Sequence, residues 1–383
     1  MRGDYVKAQS YSEHVVVILG AGSSAPVVPT AAELTNLILF PDQSVDPVYA
    51  ELFTWINKNM QSGGNFESLM MECLRRANDP QQRPKDVELY LKAVTEGARA
   101  IGREIAQRAA NNQKTTPLVE LLSHIIPKVE TLTVGTINWD DLPLHNDNLW
   151  NWYDGFNSHV KSDGRFSSKF LDEYQGHPHR LYWLHGSLFW HRPFPNIASI
   201  LVNMDDSPLQ EWGFLWGKNA VDGWEGYNTT ENGYKITLPV VIGANKPEQI
   251  FESPWFDYWT ALYHDLRHAT SIVMIGYSGR DTHLNMLVKD AVRYNAALRH
   301  LVWINYGNEP LVEITLQKTL PWVWDYPFVG VSAGHPDSDG FYKLDFKPHQ
   351  NLHQEAWAYM LGIGELVSQS SHMQKLLDIL TSR

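Results

Sequence analysis

Cysteine is almost missing from this chain: Cys73 is the single one in 383 residues. An intrachain disulfide is thereby excluded, as is any zinc site built on several thiolates. No apolar run approaches the ~18 residues that a helix needs to cross a bilayer. Residues 1–7 lack the apolar stretch of a secretory signal, so a cytoplasmic protein is the expectation. A basic excess is missing too. Lys and Arg number 31 against 43 Asp and Glu, a net charge of −12, and no long run of like charge occurs. Phosphate neutralisation supplies most of the affinity for duplex nucleic acid, so strong direct binding to it is not expected. No internal repeat is found. What is present, 43% hydrophobic and 19% charged residues, is a globular composition. The length suits one large domain with additions, or two domains.

The most informative stretch runs from Val15 to Ala25. Val-Val-Val-Ile-Leu reads as a buried strand, and it leads directly into Gly20-Ala21-Gly22-Ser23-Ser24-Ala25. The first glycine permits a sharp turn, the second a close backbone approach, and the small Ala25 lets the next turn pack tightly. A nucleotide site near residue 20 is the leading reading. An ordinary dehydrogenase unit is disfavoured, because Asp42, at the distance of the usual ribose-reading acid, follows Phe40-Pro41 and not a second strand. Downstream, Thr30 and Glu33 have the spacing of a capping box and predict a helix through Phe40.

Six short apolar runs read as strands, at 15–19, 131–136, 181–184, 236–242, 272–275 and 301–304. Most are continuously apolar, as parallel strands covered on both faces are. Helical patterns lie at 66–77, 86–110, 117–126, 253–268 and 281–298, and a last one at 363–381. The alternation predicts an α/β fold with a doubly wound, mostly parallel sheet. Residues 41–112 read as a helical subdomain and 143–234 as a loop-rich, aromatic insertion. Residues 1–306 are thus expected to form the main domain, and 307–383 a C-terminal extension. Each strand ends in small or polar residues: Gly20-Ala21-Gly22-Ser23, Asn138-Trp139-Asp140, His185-Gly186-Ser187, Gly243-Ala244-Asn245, Gly276-Tyr277-Ser278-Gly279 and Asn305-Tyr306-Gly307. In a parallel sheet these clusters share the carboxyl rim, where open α/β sheets bind ligands. Taken singly, each could be no more than a turn.

Three other patterns compete. His264 and His268 stand four apart on a helix, a spacing that can bind zinc, but Asp265 replaces the glutamate base and no third ligand is evident. The polar face of an amphipathic helix is the better reading, and His177-Pro178-His179 is read as a turn. Gly276-Tyr277-Ser278-Gly279-Arg280 has Arg where a nucleophile elbow needs Gly. Asp281 is better placed as a helix N-cap. Cys73 falls in the pattern at 66–77 and reads as core.

The four motifs Gly20-Ala21-Gly22-Ser23, Thr136-Ile137-Asn138-Trp139-Asp140, His185-Gly186-Ser187 and Gly276-Tyr277-Ser278 together resemble the sirtuin-like fold, in sirtuin order. With Pro29-Thr30, Glu33-Leu34 and Asp281-Thr282-His283-Leu284-Asn285, the set resembles the sirtuin-like NAD hydrolases of bacterial antiphage defence. The resemblance spans about residues 15–306. One departure matters: deacylating sirtuins carry a four-cysteine zinc ribbon after the His-Gly motif, and residues 186–234 contain no cysteine.

The resemblance implies an NAD glycohydrolase that releases nicotinamide and ADP-ribose and needs no metal. His185 would be the base, since an imidazole titrates near neutral pH. Asn138 would bind the nicotinamide ribose and place the attacking water, and Asp140 would contact the carboxamide. Either of these two could instead cap the next segment. Gly20, Ala21, Gly22 and Ser23 would serve the phosphates. Gly276 and Ser278 would lie under the adenosine side or the pyrophosphate, and Asn305 along the adenine ribose. By the same resemblance the role is abortive antiphage defence by NAD depletion. Control would come from homo-oligomerisation or from a partner such as a HerA-type hexameric ATPase. An NAD-dependent deacylase and a non-catalytic NAD or ADP-ribose sensor are the alternatives.

Overall fold

Val15, Val16, Val17, Ile18 and Leu19 have no exposed surface. That is what a strand paired on both edges and covered on both faces requires. In the computed structural model this strand, β1 (His14–Leu19), lies at the heart of a seven-stranded sheet. The structure describes residues 13–25, 27–61, 63–111, 116–144, 152–156, 166–167, 177–191, 215–216, 228–230, 233–235, 240–241, 250–251, 253–306, 336–344 and 355–382.

β2 (Thr131–Thr136) and β3 (His179–Trp183) lie to one side of β1. Four short strands follow outside the main sheet: β4 (Trp190–His191) pairs with β5 (Leu215–Trp216), while β6 (Asn228–Thr230) pairs with β7 (Gly233–Lys235). β8 (Ser271–Ile275) and β9 (His300–Ile304) extend the sheet on the other side of β1. β10 (Phe341–Leu344) and β11 (Glu355–Tyr359) complete it. The order is β10-β11-β9-β8-β1-β2-β3, and all pairs are parallel except β10 with β11. The parallel strands step outward from β1 to β3, then restart beside β1 at β8. This is the doubly wound α/β order, and its topological switch point, where such sheets bind ligands, lies between β1 and β8.

The crossover from β1 to β2 carries five helices. These are α1 (Ala31–Leu39), α2 (Pro47–Asn59), α3 (Phe66–Ala77), α4 (Pro84–Asn111) and α5 (Pro117–Ile125). α1 opens with the full capping box: the Glu33 N–H donates to the Thr30 hydroxyl and the Thr30 N–H to the Glu33 carboxylate. On α4 the buried Val87, Leu91, Val94, Ala98, Ile101 and Ile105 recur at three- and four-residue spacing. Cys73 sits in the matching stripe of α3, and burial pushes its thiol up to about 12. α6 (Trp255–His268) packs on β1, β2 and β3, and α7 (Thr282–Tyr294) packs on α6. α8 (Gly362–Ser368) and α9 (Ser370–Thr381) end the chain. No helix among the described residues is long and apolar enough to cross a membrane.

A buried polar cluster fastens α6 to the sheet. Asp265 faces inward and accepts from Arg180 Nη1 at 2.6 Å, Thr133 Oγ1 at 2.7 Å and Tyr182 Oη at 2.9 Å. Burial alone would raise its carboxyl. The His264 hydrogen bond, the charges of His14 and Arg180 and the Thr133 hydroxyl outweigh it and bring the group down to about 2. His14 Nε2 reaches Thr133 Oγ1 at 3.2 Å, and burial holds its imidazole down at about 4, so it is neutral near pH 7 and its charge acts on Asp265 only in acid.

Three expectations shift, and a fourth lies almost wholly outside the described residues. β3 begins two residues before the expected 181, because Arg180 enters the sheet with its charge matched by Asp265; His179 therefore belongs to a strand, not a turn. The expected strand at 236–242 lies outside the described residues except for 240–241, where Val240 bridges antiparallel to Gly186. The helix expected at 363–381 is two helices, separated where Gln369 adopts an extended backbone. The segment after 307 also supplies β10 and β11, which the sequence reading does not place.

Candidate functional site

The glycine loop is built against the turn after β8. Gly20 N–H donates to the Ile275 carbonyl at 2.9 Å, and Gly22 N–H to the Gly276 carbonyl at 3.0 Å. A Cβ on Gly20 would stand 2.7 Å from the Gly276 carbonyl oxygen, and one on Gly22 would stand 2.9 Å from Gly276 Cα. Gly276 itself has φ +59°, and a Cβ there would meet Ser23 N at 2.1 Å. The glycines thus let two backbone loops interlock across the switch point. The N–H groups of Gly20, Gly22, Ser23 and Ser24 all donate to backbone carbonyls in this arrangement.

Asn138, at the end of β2, ties this loop to the second rim segment. Its Nδ2 lies 3.0 Å from the Gly20 carbonyl, 3.1 Å from Ser23 Oγ and 2.9 Å from Ser24 Oγ. Both hydroxyl protons are already committed: Ser23 Oγ donates to Gly20 O at 2.7 Å and Ser24 Oγ to Asp140 Oδ2 at 2.7 Å. The three oxygens therefore accept, which fixes the amide with nitrogen toward the loop. Asp140 uses its other oxygen to accept from Leu142 N–H at 3.1 Å. Asn138 and Asp140 are both buried.

A cavity of about 310 Å³ opens over these groups. Its polar floor comprises Ser24, Asn138, Asp140 and His185. Its walls are mainly apolar, with Val28 and Leu34 from the α1 side, Phe66 from α3, Ile105 from α4, and Trp139 from the rim. Phe66 and Trp139 meet edge to face, with centroids 5.6 Å apart. Among the described residues that line it, Asp140 and Glu67 are acidic and none is Lys or Arg. The volume lies at the small end of the range for ligand pockets, about 300–1,000 Å³.

His185, just beyond β3, is 3% exposed. The Trp259 ring packs beside its imidazole at 6.3 Å, and Trp259 Nε1–H donates to the Leu184 carbonyl at 3.0 Å. His185 Nε2 lies 3.0 Å from Asp281 Oδ2. The separation is that of a hydrogen bond, with the ring nitrogen off the line to the oxygen. The other oxygen, Asp281 Oδ1, caps α7 by accepting from the N–H groups of His283 and Leu284.

The cavity thus brings together Ala21, Gly22, Asn138, Asp140 and His185 of the residues singled out by sequence. Gly20 and Ser23 pack directly behind it, where the Ser23 hydroxyl is turned back to Gly20 O. Ser24 is the serine that faces the cavity. Gly276 lies against Gly22 across the switch point, and Ser278 is exposed on the loop that follows. Asn305, at the end of β9, is two strands from β1. Its Oδ1 accepts from Tyr306 N–H, and its backbone pairs with Tyr359 and Gly362. Sequence reading missed the second role of Asp281, the Trp259 support and the helical walls of the cavity. A capping aspartate has one oxygen to spare, which is the only signal the sequence carries for the first of these. His264 and His268 lie ring to ring on α6 at 4.5 Å, with Asp265 between them turned into the sheet. Among the described residues no group of three His, Cys, Asp or Glu is arranged to hold a metal ion.

Fold and site together define a doubly wound α/β protein with a small pocket over the carboxyl ends of β1, β2 and β3. No protein-family model matches the chain, and no curated protein matches it. Among solved structures it is similar to a mutant Sir2 homologue in complex with ADP-ribose. That match has a TM-score of 0.39 at 15% identity, over 100% of this chain and 99% of that one. It is also similar to a structure described as bearing on the mechanism and regulation of Sir2 enzymes. There the TM-score is 0.27 at 11% identity, over 96% of this chain and 92% of that one.

Proposed function

We propose that the protein is an NAD glycohydrolase, cleaving NAD to nicotinamide and ADP-ribose. One observation carries the reading: a carboxamide, Asn138, and an imidazole, His185, line one small cavity beside the glycine turn of the switch point. Apolar walls with acidic groups, and no lysine or arginine among the described lining residues, suit a flat aromatic cation such as the nicotinamide end of NAD. The phosphates would then lie outside this cavity.

The chemistry asks little of the protein. The bond from ribose C1′ to the pyridinium nitrogen breaks with its electron pair going to that nitrogen, so nicotinamide leaves neutral and needs no acid. The sugar becomes an oxocarbenium-like cation, and water adds to C1′. With Nδ2 of Asn138 held by the glycine loop, its Oδ1 is the atom left to orient the ribose or the water. His185 takes the proton lost from the water or from a ribose hydroxyl and passes it to solvent. Trp139 and Phe66 seat the departing ring and exclude bulk water.

The test is nicotinamide release from NAD by the purified protein. Turnover without peptide is the expected result. Turnover only with an acylated peptide would mean deacylation, and saturable binding without turnover would mean a sensor. A role in antiphage defence by NAD depletion, with self-assembly and a HerA-type ATPase as the means of control, is proposed on the sequence resemblance.

A further inference from the structure

Asp281 stands at a junction that the N-cap role does not exhaust. Its Oδ1 caps α7, and its backbone carbonyl accepts from Tyr277 Oη at 3.0 Å. One turn on, Asn285 Oδ1 accepts from the same Tyr277 hydroxyl at 2.7 Å, and Asn285 Nδ2 donates to the Gly279 carbonyl at 2.6 Å. The start of α7 is therefore locked to the loop after β8, the loop that interlocks with Gly22 and Ser23. The carboxylate is held by capping bonds from the His283 and Leu284 N–H groups, independent of His185. Its second oxygen is 3% exposed with its side chain and sits 3.0 Å from His185 Nε2. Trp259 backs the imidazole beside it.

We propose that Asp281 is the positioning residue for His185, on the NAD-cleaving reading above. Its Oδ2, fixed by the α7 cap, keeps a proton on His185 Nε2 and leaves Nδ1 as the basic nitrogen. The hydrogen bond made by one ring nitrogen sets what the other can do. Catalytic hydrogen bonds are often poorly aligned before substrate binds and tighten in the complex. The same lock couples the imidazole to the glycine interlock, so base and glycine loop share one rigid support.

Asp281→Asn is the discriminating variant. Asparagine caps a helix as well as aspartate does, but it offers an N–H to His185 Nε2 and reverses the tautomer. The first measurement is the ¹⁵N spectrum of the imidazoles in the full chain, with the His185 signal identified by its loss in His185→Gln. The expected result is Nε2–H in the wild type and Nδ1–H in Asp281→Asn. The same tautomer in both would overturn the proposal. The second measurement is the kinetics of NAD cleavage. Asp281→Asn is expected to lower kcat by roughly 10²–10⁴-fold, as an aspartate-to-asparagine change behind a catalytic histidine does, with KM within about 3-fold. Asp281→Ser, which keeps a capping hydroxyl but cannot reach His185, is expected to lose kcat likewise. Wild-type kcat in both variants would overturn the assignment. A wild-type protein that leaves NAD intact would sink the glycohydrolase reading alone, because the tautomer measurement decides Asp281 without turnover.

Discussion

Replacing Gly276 by alanine should force apart the two backbone loops that meet beside β1. The added Cβ would stand 2.1 Å from Ser23 N and 2.2 Å from the Gly22 carbonyl carbon, both backbone atoms that no side-chain rotation can remove. Restoring an ordinary contact of 3.4 Å requires the two loops to part by about 1.3 Å. The backbone φ of +59° adds the cost of a left-handed conformation, about 1–2 kcal/mol for a residue with a Cβ. Overpacking in a well-filled region costs about 1–3 kcal/mol more. A loss of roughly 2–5 kcal/mol is expected, read as the shift in urea-unfolding free energy. Because the same loops place Asn138 Nδ2, protein that remains folded should also turn over NAD about 10²-fold more slowly, the usual cost of a 1 Å misplacement. Gly364→Ala is the control. A Cβ there meets nothing within 4 Å, and the residue lies in a helix, so a gain of about 0.5–1 kcal/mol is expected. Wild-type stability and turnover in Gly276→Ala would refute the interlock.

The remaining predictions concern the polar groups. Asp265→Ala leaves the buried Arg180 guanidinium and two hydroxyls without their acceptor and should cost about 3–5 kcal/mol in denaturant unfolding. Stability should fall as pH drops from 6.5 toward 4. The unfolded chain then protonates His14 while the folded one, with its imidazole held at about 4, does not. At 1.36 kcal/mol per unit this is about 3 kcal/mol. Asp265, held at about 2, adds a further loss below about pH 4 as the unfolded carboxyl binds its proton first. A His14→Gln variant should flatten the upper part of that profile in urea titrations; an unchanged profile would contradict it. His185→Ala should lower NAD cleavage roughly 10²–10⁴-fold with the fold intact by circular dichroism. Asn138→Ala should abolish turnover, and Asn138→Asp should fail as well, because a carboxylate cannot donate to the Gly20 carbonyl.

Much of this architecture is legible in the residues. Five buried apolar residues ending in Gly20 declare the central strand; the runs from 272 and 301 are equally plain, and the strand from 131 shows in threonines alternating with Leu132 and Val134. The capping box at Thr30 and the cap at Asp281 are visible because their spacing is local. What escapes is what is paired only in three dimensions. Arg180 reads as a strand boundary until Asp265, 85 residues later, is seen to meet it. β10 and β11 are short, with Lys343 and Glu355 paired across them, and the apolar run from Ala356 to Leu361 that marks β11 cannot by itself be told from a helical segment. In the sequence the glycines point to phosphate access, whereas their contact with Gly276 depends on β8 lying beside β1. The histidine was visible at 185, but its carboxylate partner was not, since a cap explains the aspartate fully until the rim is assembled.

The central claim is that the labile end of NAD lies between Asn138 and His185. Its most direct test is a crystal or cryo-EM map of the full chain carrying His185→Ala, soaked with NAD. The account predicts density for the nicotinamide ribose beside Asn138, with the ring in the cavity walled by Trp139 and Phe66. A dinucleotide bound elsewhere, with that cavity filled only by water, would contradict it.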